Sequence, residues 1–125
     1  MSNILVIDDE KMLLNMFIQA LTRFGYNVET ATNGEKGVQK FDKGHFDLVI
    51  TDLLMGSMDG NCVLQHIRNS DRHLVPVMGV SGTPWLLDEK NFDAVLTKPF
   101  SIKALQNTVE SLTVKTAKQS QELTG

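Results

Sequence analysis

The sequence predicts an α/β domain, doubly wound around a five-stranded parallel sheet. Three observations predict it. Brief, β-branched apolar runs recur along the chain. Segments with helical spacing separate them. The runs carry little polar alternation, which is how strands read when helices cover both faces of a parallel sheet.

The strand candidates run in order from Ile4 to Ile7, Val28 to Ala31, Leu48 to Ile50, Val75 to Val80 and Ala94 to Leu96. After the first, Leu13, Leu14, Phe17, Ile18 and Leu21 share a helical face, and Gly25 is the C-terminal stop. Met12 and Met16 are expected to help this helix pack. Val38 and Phe41 mark a weaker second helix closed by Gly44, with Lys36, Lys40 and Lys43 as its solvated face. Val63, Leu64 and Ile67 mark a third, with Cys62 expected to pack in or near it. Ile102, Leu105, Val109 and Leu112 mark the last, with Ser101 as its N-cap.

Between the fourth and fifth strands the chain is short. Residues 82–97 separate Ser81 from Lys98, and the fifth strand takes about five of them. Pro84 suits a first helical position. The expectation is a shortened fourth helix, roughly from Trp85 to Asn91. The domain is assigned to residues 1–112, and 113–125 to a helix end and polar tail or linker.

Composition narrows the function. A chain of 125 residues, 42% hydrophobic, makes one domain with a real core. One Cys excludes an internal disulfide framework and most zinc sites. A formal charge of −3 argues against direct nucleic acid binding, which needs clustered Lys and Arg. His45, His66 and His73 have no spacing for a shared metal. No apolar run is long enough for membrane insertion, and no cationic-then-apolar leader marks secretion, so a cytoplasmic location is expected.

Handedness then locates the chemistry. Parallel crossovers are right-handed, so helices on both faces require the strand order to reverse. The five-strand solution is the flavodoxin-like order 2-1-3-4-5, with a crevice at the C-terminal ends of strands one and three. Those ends carry Asp8-Asp9-Glu10 and Thr51-Asp52. Taken singly, Asp8 and Asp9 read as a helix N-cap and a surface acid, and Asp52 as a loop acid. Taken together, they meet. At ~4 Å and an effective dielectric near 20, each like-charge pair costs on the order of 4 kcal/mol. Such a cluster needs protons or a cation, and its oxygen donors suit Mg²⁺ or Mn²⁺ rather than Zn²⁺. Ser81 and Lys98, ending strands four and five, reach the same rim, and Pro99 is a cis-peptide candidate that fixes the lysine's direction. A carboxylate nucleophile, a cation, a hydroxyl and an ammonium around one point describe phosphoryl transfer.

The elements ILVIDDE at 4–10, LVITDLLM and MDG within 48–60, VSG at 80–82 and LTKPF at 96–100 resemble a response-regulator receiver domain of two-component signalling, in the CheY-like superfamily. The resemblance covers residues 3–112. It implies that Asp52 is the phosphoacceptor, taking its phosphoryl group from a sensor histidine kinase or phosphotransfer protein. It implies that Asp9 and Asp52 ligate Mg²⁺ directly, Asp8 mainly through water, and Leu54 through its backbone carbonyl. Ser81 and Lys98 would bind the phosphoryl group and drive the switch. The domain would be a regulator that catalyses its own phosphorylation, not an enzyme. In the family the positions of Leu54 and Thr83 tune hydrolysis, and apolar Leu54 implies slow self-dephosphorylation.

Three features depart from the family. Gly56 stands where Pro usually follows the loop Met. Val95 stands where Tyr or Phe usually precedes the lysine by three residues, so an aromatic rotamer switch cannot operate there. The shortened fourth helix alters the surface many receivers use to dimerise. Two other functions are therefore weighed. A pseudo-receiver would act by phosphorylation-independent protein binding. A hydrolase with an aspartyl nucleophile after strand one favours Asp-x-Asp, which Asp8-Asp9-Glu10-Lys11 lacks.

Overall fold

The computed structural model describes residues 2–53, 55, 58–82 and 91–124, with side chains described as far as Val114. The elements are β1 (Asn3–Ile7), α1 (Lys11–Arg23), β2 (Asn27–Ala31), α2 (Gly34–Lys43), β3 (Leu48–Asp52), α3 (Gly60–Arg68), β4 (Val77–Ser81), β5 (Ala94–Thr97) and α4 (Ile102–Thr124). All strand pairs are parallel, and the sheet order is β2-β1-β3-β4-β5. This is the order read from the sequence. The short helix expected from Trp85 onward falls on residues 83–90, outside the described residues, as do Gly56, Leu54 and Thr83.

Successive side chains on a strand point to opposite faces, so each strand feeds two cores. On one face Ile4, Val6, Ile50 and Val80 meet Phe17 and Leu21 of α1 and Leu105 and Val109 of α4. On the other, Leu5, Ile7, Val49 and Val77 meet Phe41 of α2 and Val63, Leu64 and Ile67 of α3. Every residue of β3 and β4 is buried. The marginal strand β2 instead alternates along Asn27–Ala31, ending buried at Ala31. β2 is an edge strand of the sheet, and the double-sided burial expected for it does not hold.

The helix ends are chemically specified. At the end of α1, Tyr26 N–H donates to Leu21 O at 3.1 Å and Gly25 N–H to Thr22 O at 3.0 Å. This is a Schellman pair, and it needs Gly25 at φ 94°, where a residue without Cβ has no penalty. Asn33 accepts from Lys36 N–H at 2.8 Å to cap α2. Ser101 accepts from Ala104 N–H at 3.0 Å, as its N-cap assignment requires.

Three local expectations are corrected. Met12 does not pack, because at 86% exposure it lies off the stripe of Leu14, Phe17 and Leu21. Cys62 lies in α3 but is exposed, since Val63, Leu64 and Ile67 take the inward positions. The polar stretch from Thr113 does not leave the helix, for α4 continues to Thr124. Lys115, Ala117, Lys118, Gln119, Gln121 and Glu122 are strong helix formers, and no Gly or Pro interrupts them.

The N-terminal ends of the strands are tied by polar contacts. Asn3 N–H donates to Asp47 Oδ2 at 2.8 Å, and Asp47 N–H donates to Asn3 O at 2.7 Å. Asn27 Nδ2 donates to Asn3 Oδ1 at 3.0 Å. Arg68, ending α3, donates to His73 O, Val75 O and Asn91 O and pairs with Asp93 at 2.7 Å. Asp93 Oδ2 also accepts the amide of Val77, the first residue of β4.

Candidate functional site

The reversal in strand order sets β1 and β3 side by side, with Ile7 paired to Thr51. The residues that follow each of them therefore share one rim. Asp8 is 1% exposed, and its N–H still donates to Ala31 O at 3.1 Å, extending the β1–β2 pairing. Its Oδ1 accepts Glu10 N–H at 2.8 Å. That contact holds a turn; the N-cap position of α1 is Glu10, and no side chain caps it. The reading of Asp8 or Asp9 as a helix cap is thus not what the structure has.

Asp52 is 7% exposed at the end of β3. Thr51 Oγ1 donates to its carbonyl at 3.0 Å, and the next amide, of Leu53, donates to Val80 O at 3.1 Å. Carboxylate oxygens of Asp8, Asp9 and Asp52 all lie within 4.8 Å of one another. From β5, Lys98 brings Nζ to 3.5 Å from Asp52 Oδ1. Its N–H donates to Ser81 O at 2.9 Å, which ties the lysine to the end of β4. Ser81 is buried there, paired in register with Thr97. The Lys98–Pro99 peptide bond is cis. The structure thus gathers Asp8, Asp9, Asp52, Ser81 and Lys98 on one rim, while Leu54 and Thr83 lie outside the described residues.

The electrostatics of this rim are unbalanced. Burial pushes the Asp8 carboxyl up to about 6; the Glu10 amide opposes this, and the nearby Asp52 charge adds to it. Burial also raises Asp52 above the usual carboxylate range, against the pull of Lys98. Among the described residues, one lysine offsets one of three acids. An all-oxygen donor set, partly open to water and short of positive charge, fits a hard divalent cation such as Mg²⁺. Among the described residues it is the one cluster of His, Cys, Asp or Glu with metal-like spacing.

Other residues set aside by the sequence reading have local partners. His66 Nε2 lies 2.8 Å from Asp42 Oδ1, and its ring meets Phe41 edge-on. Lys40 donates to Thr30 O. Val95 is half-buried against the core shared by α2 and α3. Beside it Phe92 is buried over Gly79, where a Cβ would stand 3.2 Å from the ring.

Sequence reasoning gave no role to Asp59 or Gly60. Asp59 accepts Cys62 N–H at 3.0 Å and caps α3. Gly60 N–H donates to Leu53 O at 2.9 Å, which closes the loop following the site. An Asp-Gly pair ahead of an apolar helical stripe is a legible cap signal; the close approach of Gly60 to β3 is not.

Comparison with known proteins agrees with this arrangement. A family model described as the response regulator receiver domain matches residues 4–110. The transcriptional regulatory protein TrcR of Mycobacterium tuberculosis is 32% identical over 107 residues, 82% of this chain and 41% of that protein. The sensor histidine kinase RcsC of Escherichia coli is 32% identical over 112 residues, 85% of this chain and 12% of that protein. This chain spans half or less of the length of such curated relatives. The response regulator TrrA of Thermotoga maritima, solved in complex with Mg(2+)-BeF, superposes with a TM-score of 0.83 at 30% identity, covering 90% of this chain and 99% of that one. No helix among the described residues is long and apolar enough to cross a membrane. The order of strands, the acidic rim and these matches together place the chain in the family of response regulator receiver domains of two-component signalling.

Proposed function

We propose that Asp52 accepts a phosphoryl group from the phosphohistidine of a sensor kinase or phosphotransfer protein, and that the product switches a protein-interaction face. The observation that carries this is the meeting of Asp8, Asp9 and Asp52 within 4.8 Å, with Lys98 held 3.5 Å from Asp52. An Asp52 oxygen forms a bond to phosphorus while the donor's phosphorus–nitrogen bond breaks. The leaving imidazole keeps the electron pair and takes up a proton. Asp52 must be ionised to attack; Lys98 favours that form and burial opposes it.

Asp9, Asp52 and the Leu54 carbonyl would hold Mg²⁺ directly, and Asp8 through water. When bound, the ion supplies positive charge against the phosphoryl oxygens. Lys98 and Ser81 face those oxygens as ammonium and hydroxyl donors. The domain so described regulates by catalysing its own phosphorylation. The Leu54 side chain has no polar atom to orient water, so the acyl phosphate should hydrolyse slowly. Decay within seconds, with no phosphatase present, would contradict that.

Intact-mass analysis after Mg²⁺ and acetyl phosphate tests the assignment. Wild type should gain about 80 Da, and Asp52→Asn should gain nothing. A labelled Asp52→Asn overturns it. A wild type that never labels favours the pseudo-receiver, the second reading, to which Val95 lends weight by removing the usual aromatic switch.

A further inference from the structure

The tightest approach to Asp52 comes from behind, through its backbone. Gly60 opens α3 and is buried. A Cβ built on it would lie 2.6 Å from Asp52 O, 3.0 Å from Leu53 Cα and 3.3 Å from Asp52 C. All three are main-chain atoms, so no side-chain rotation can relieve the contact. Gly60 does not have positive φ; among the described residues that holds for Gly25 alone. The requirement at 60 is therefore space, not torsion.

One bond joins the two segments, and one more lies within each. Gly60 N–H donates to Leu53 O at 2.9 Å, and Asp59 pins the first turn of α3 through Cys62 N–H. On its other side, the Asp52 carbonyl accepts the Thr51 hydroxyl at 3.0 Å. The Asp52 peptide is thus clamped between a strand hydroxyl and a helix start. We infer that Gly60 is a positioning residue. Its bare Cα lets α3 seat against the Asp52 carbonyl, and that seat fixes the height of the Asp52 carboxylate relative to Asp8, Asp9 and Lys98.

Its functional meaning rests on the phosphoacceptor reading, but its geometry does not. Adding one methyl at 60 must push α3 or the Asp52 backbone aside. A displacement of a fraction of an ångström is felt where carboxylates converge on one cation and one nucleophilic oxygen must meet phosphorus.

The test compares Gly60→Ala with Gly25→Ala. Gly25 has φ 94°, so a Cβ there strains the end of α1, remote from Asp52. Both variants should melt lower than wild type. Well below either melting point, Gly60→Ala should bind Mg²⁺ about tenfold more weakly by calorimetry and label about tenfold more slowly. Gly25→Ala should match wild type in both. Wild-type Mg²⁺ affinity and labelling rate in folded Gly60→Ala overturn the proposal. Should Gly60→Ala not fold, Asp59→Ala loosens the same turn without added bulk. It should then show a smaller loss of Mg²⁺ affinity, and an unchanged affinity overturns the proposal. If wild type binds Mg²⁺ but never labels, the phosphoacceptor reading fails while the Mg²⁺ comparison still decides the role of Gly60.

Discussion

At the N-terminal ends of the strands, Arg68 satisfies three carbonyls and one carboxylate, and Asn3 exchanges bonds with Asp47 and Asn27. At the C-terminal ends, Asp8, Asp9 and Asp52 share a single lysine among the described residues. The same sheet thus has one rim whose polar groups are matched and one rim left with surplus negative charge. The matched rim holds β4 and the start of β5 to α3. The unmatched rim lowers the stability of the metal-free fold and leaves binding energy to be recovered when a cation or phosphoryl group arrives. Stability and chemistry are divided between opposite ends of the strands.

The division can be broken most forcefully at Arg68. Arg68→Ala strands three carbonyls and leaves Asp93 without its guanidinium, so it should cost about 3 kcal/mol in denaturant unfolding. Labelling by acetyl phosphate at low temperature should stay near wild type. Loss of labelling in a folded Arg68→Ala protein would mean that the two rims are not separable.

Asp8→Asn should act with the opposite sign. Without divalent ions at pH 7 it should stabilise the fold by about 2 kcal/mol, because burial has raised the Asp8 carboxyl to about 6. The folded protein holds this proton more tightly than the unfolded chain. Its stabilising contribution is therefore complete below about pH 4 and is lost as pH rises through about 6. The advantage of Asp8→Asn should accordingly grow from near zero at pH 4 to its full value at pH 7. A constant difference across that range would contradict the assignment.

Mg²⁺ sharpens the contrast further. At ten times its dissociation constant it should stabilise wild type by about 1.4 kcal/mol. Asp8→Asn should gain less, and Arg68→Ala should gain the same as wild type. The smallest effect belongs to a surface pair remote from both rims. Asp42→Ala, which breaks the exposed contact with His66, should change stability by less than about 0.5 kcal/mol.

What was legible in the sequence follows from physical range. β1, β3 and β4 read clearly because burial on both faces demands unbroken apolar runs, and Gly25 and Ser101 mark helix ends by local chemistry. The rim acids were legible because strand ends and handed crossovers bring Asp8, Asp9, Asp52, Ser81 and Lys98 together without any side-chain detail. The opposite rim was not. Arg68 and Asp93 are 25 residues apart, and Asn3 and Asp47 are 44 apart, so no local pattern announces either pair. Gly60 escaped for a different reason, since its role is an absent side chain against a distant main chain. The end of α4 was misplaced because polarity alone does not stop a helix.

That helix carries a mechanical corollary. Its 23 residues extend about 35 Å, and it starts soon after Lys98 and Pro99. Leu105, Val109 and Leu112 bed its upper part on the sheet, while Phe100 leans on Phe17 at its root. A rocking of about 5° at that root would sweep the far end through about 3 Å. A small adjustment beside the lysine would thereby be magnified, as by an oar turning in its rowlock.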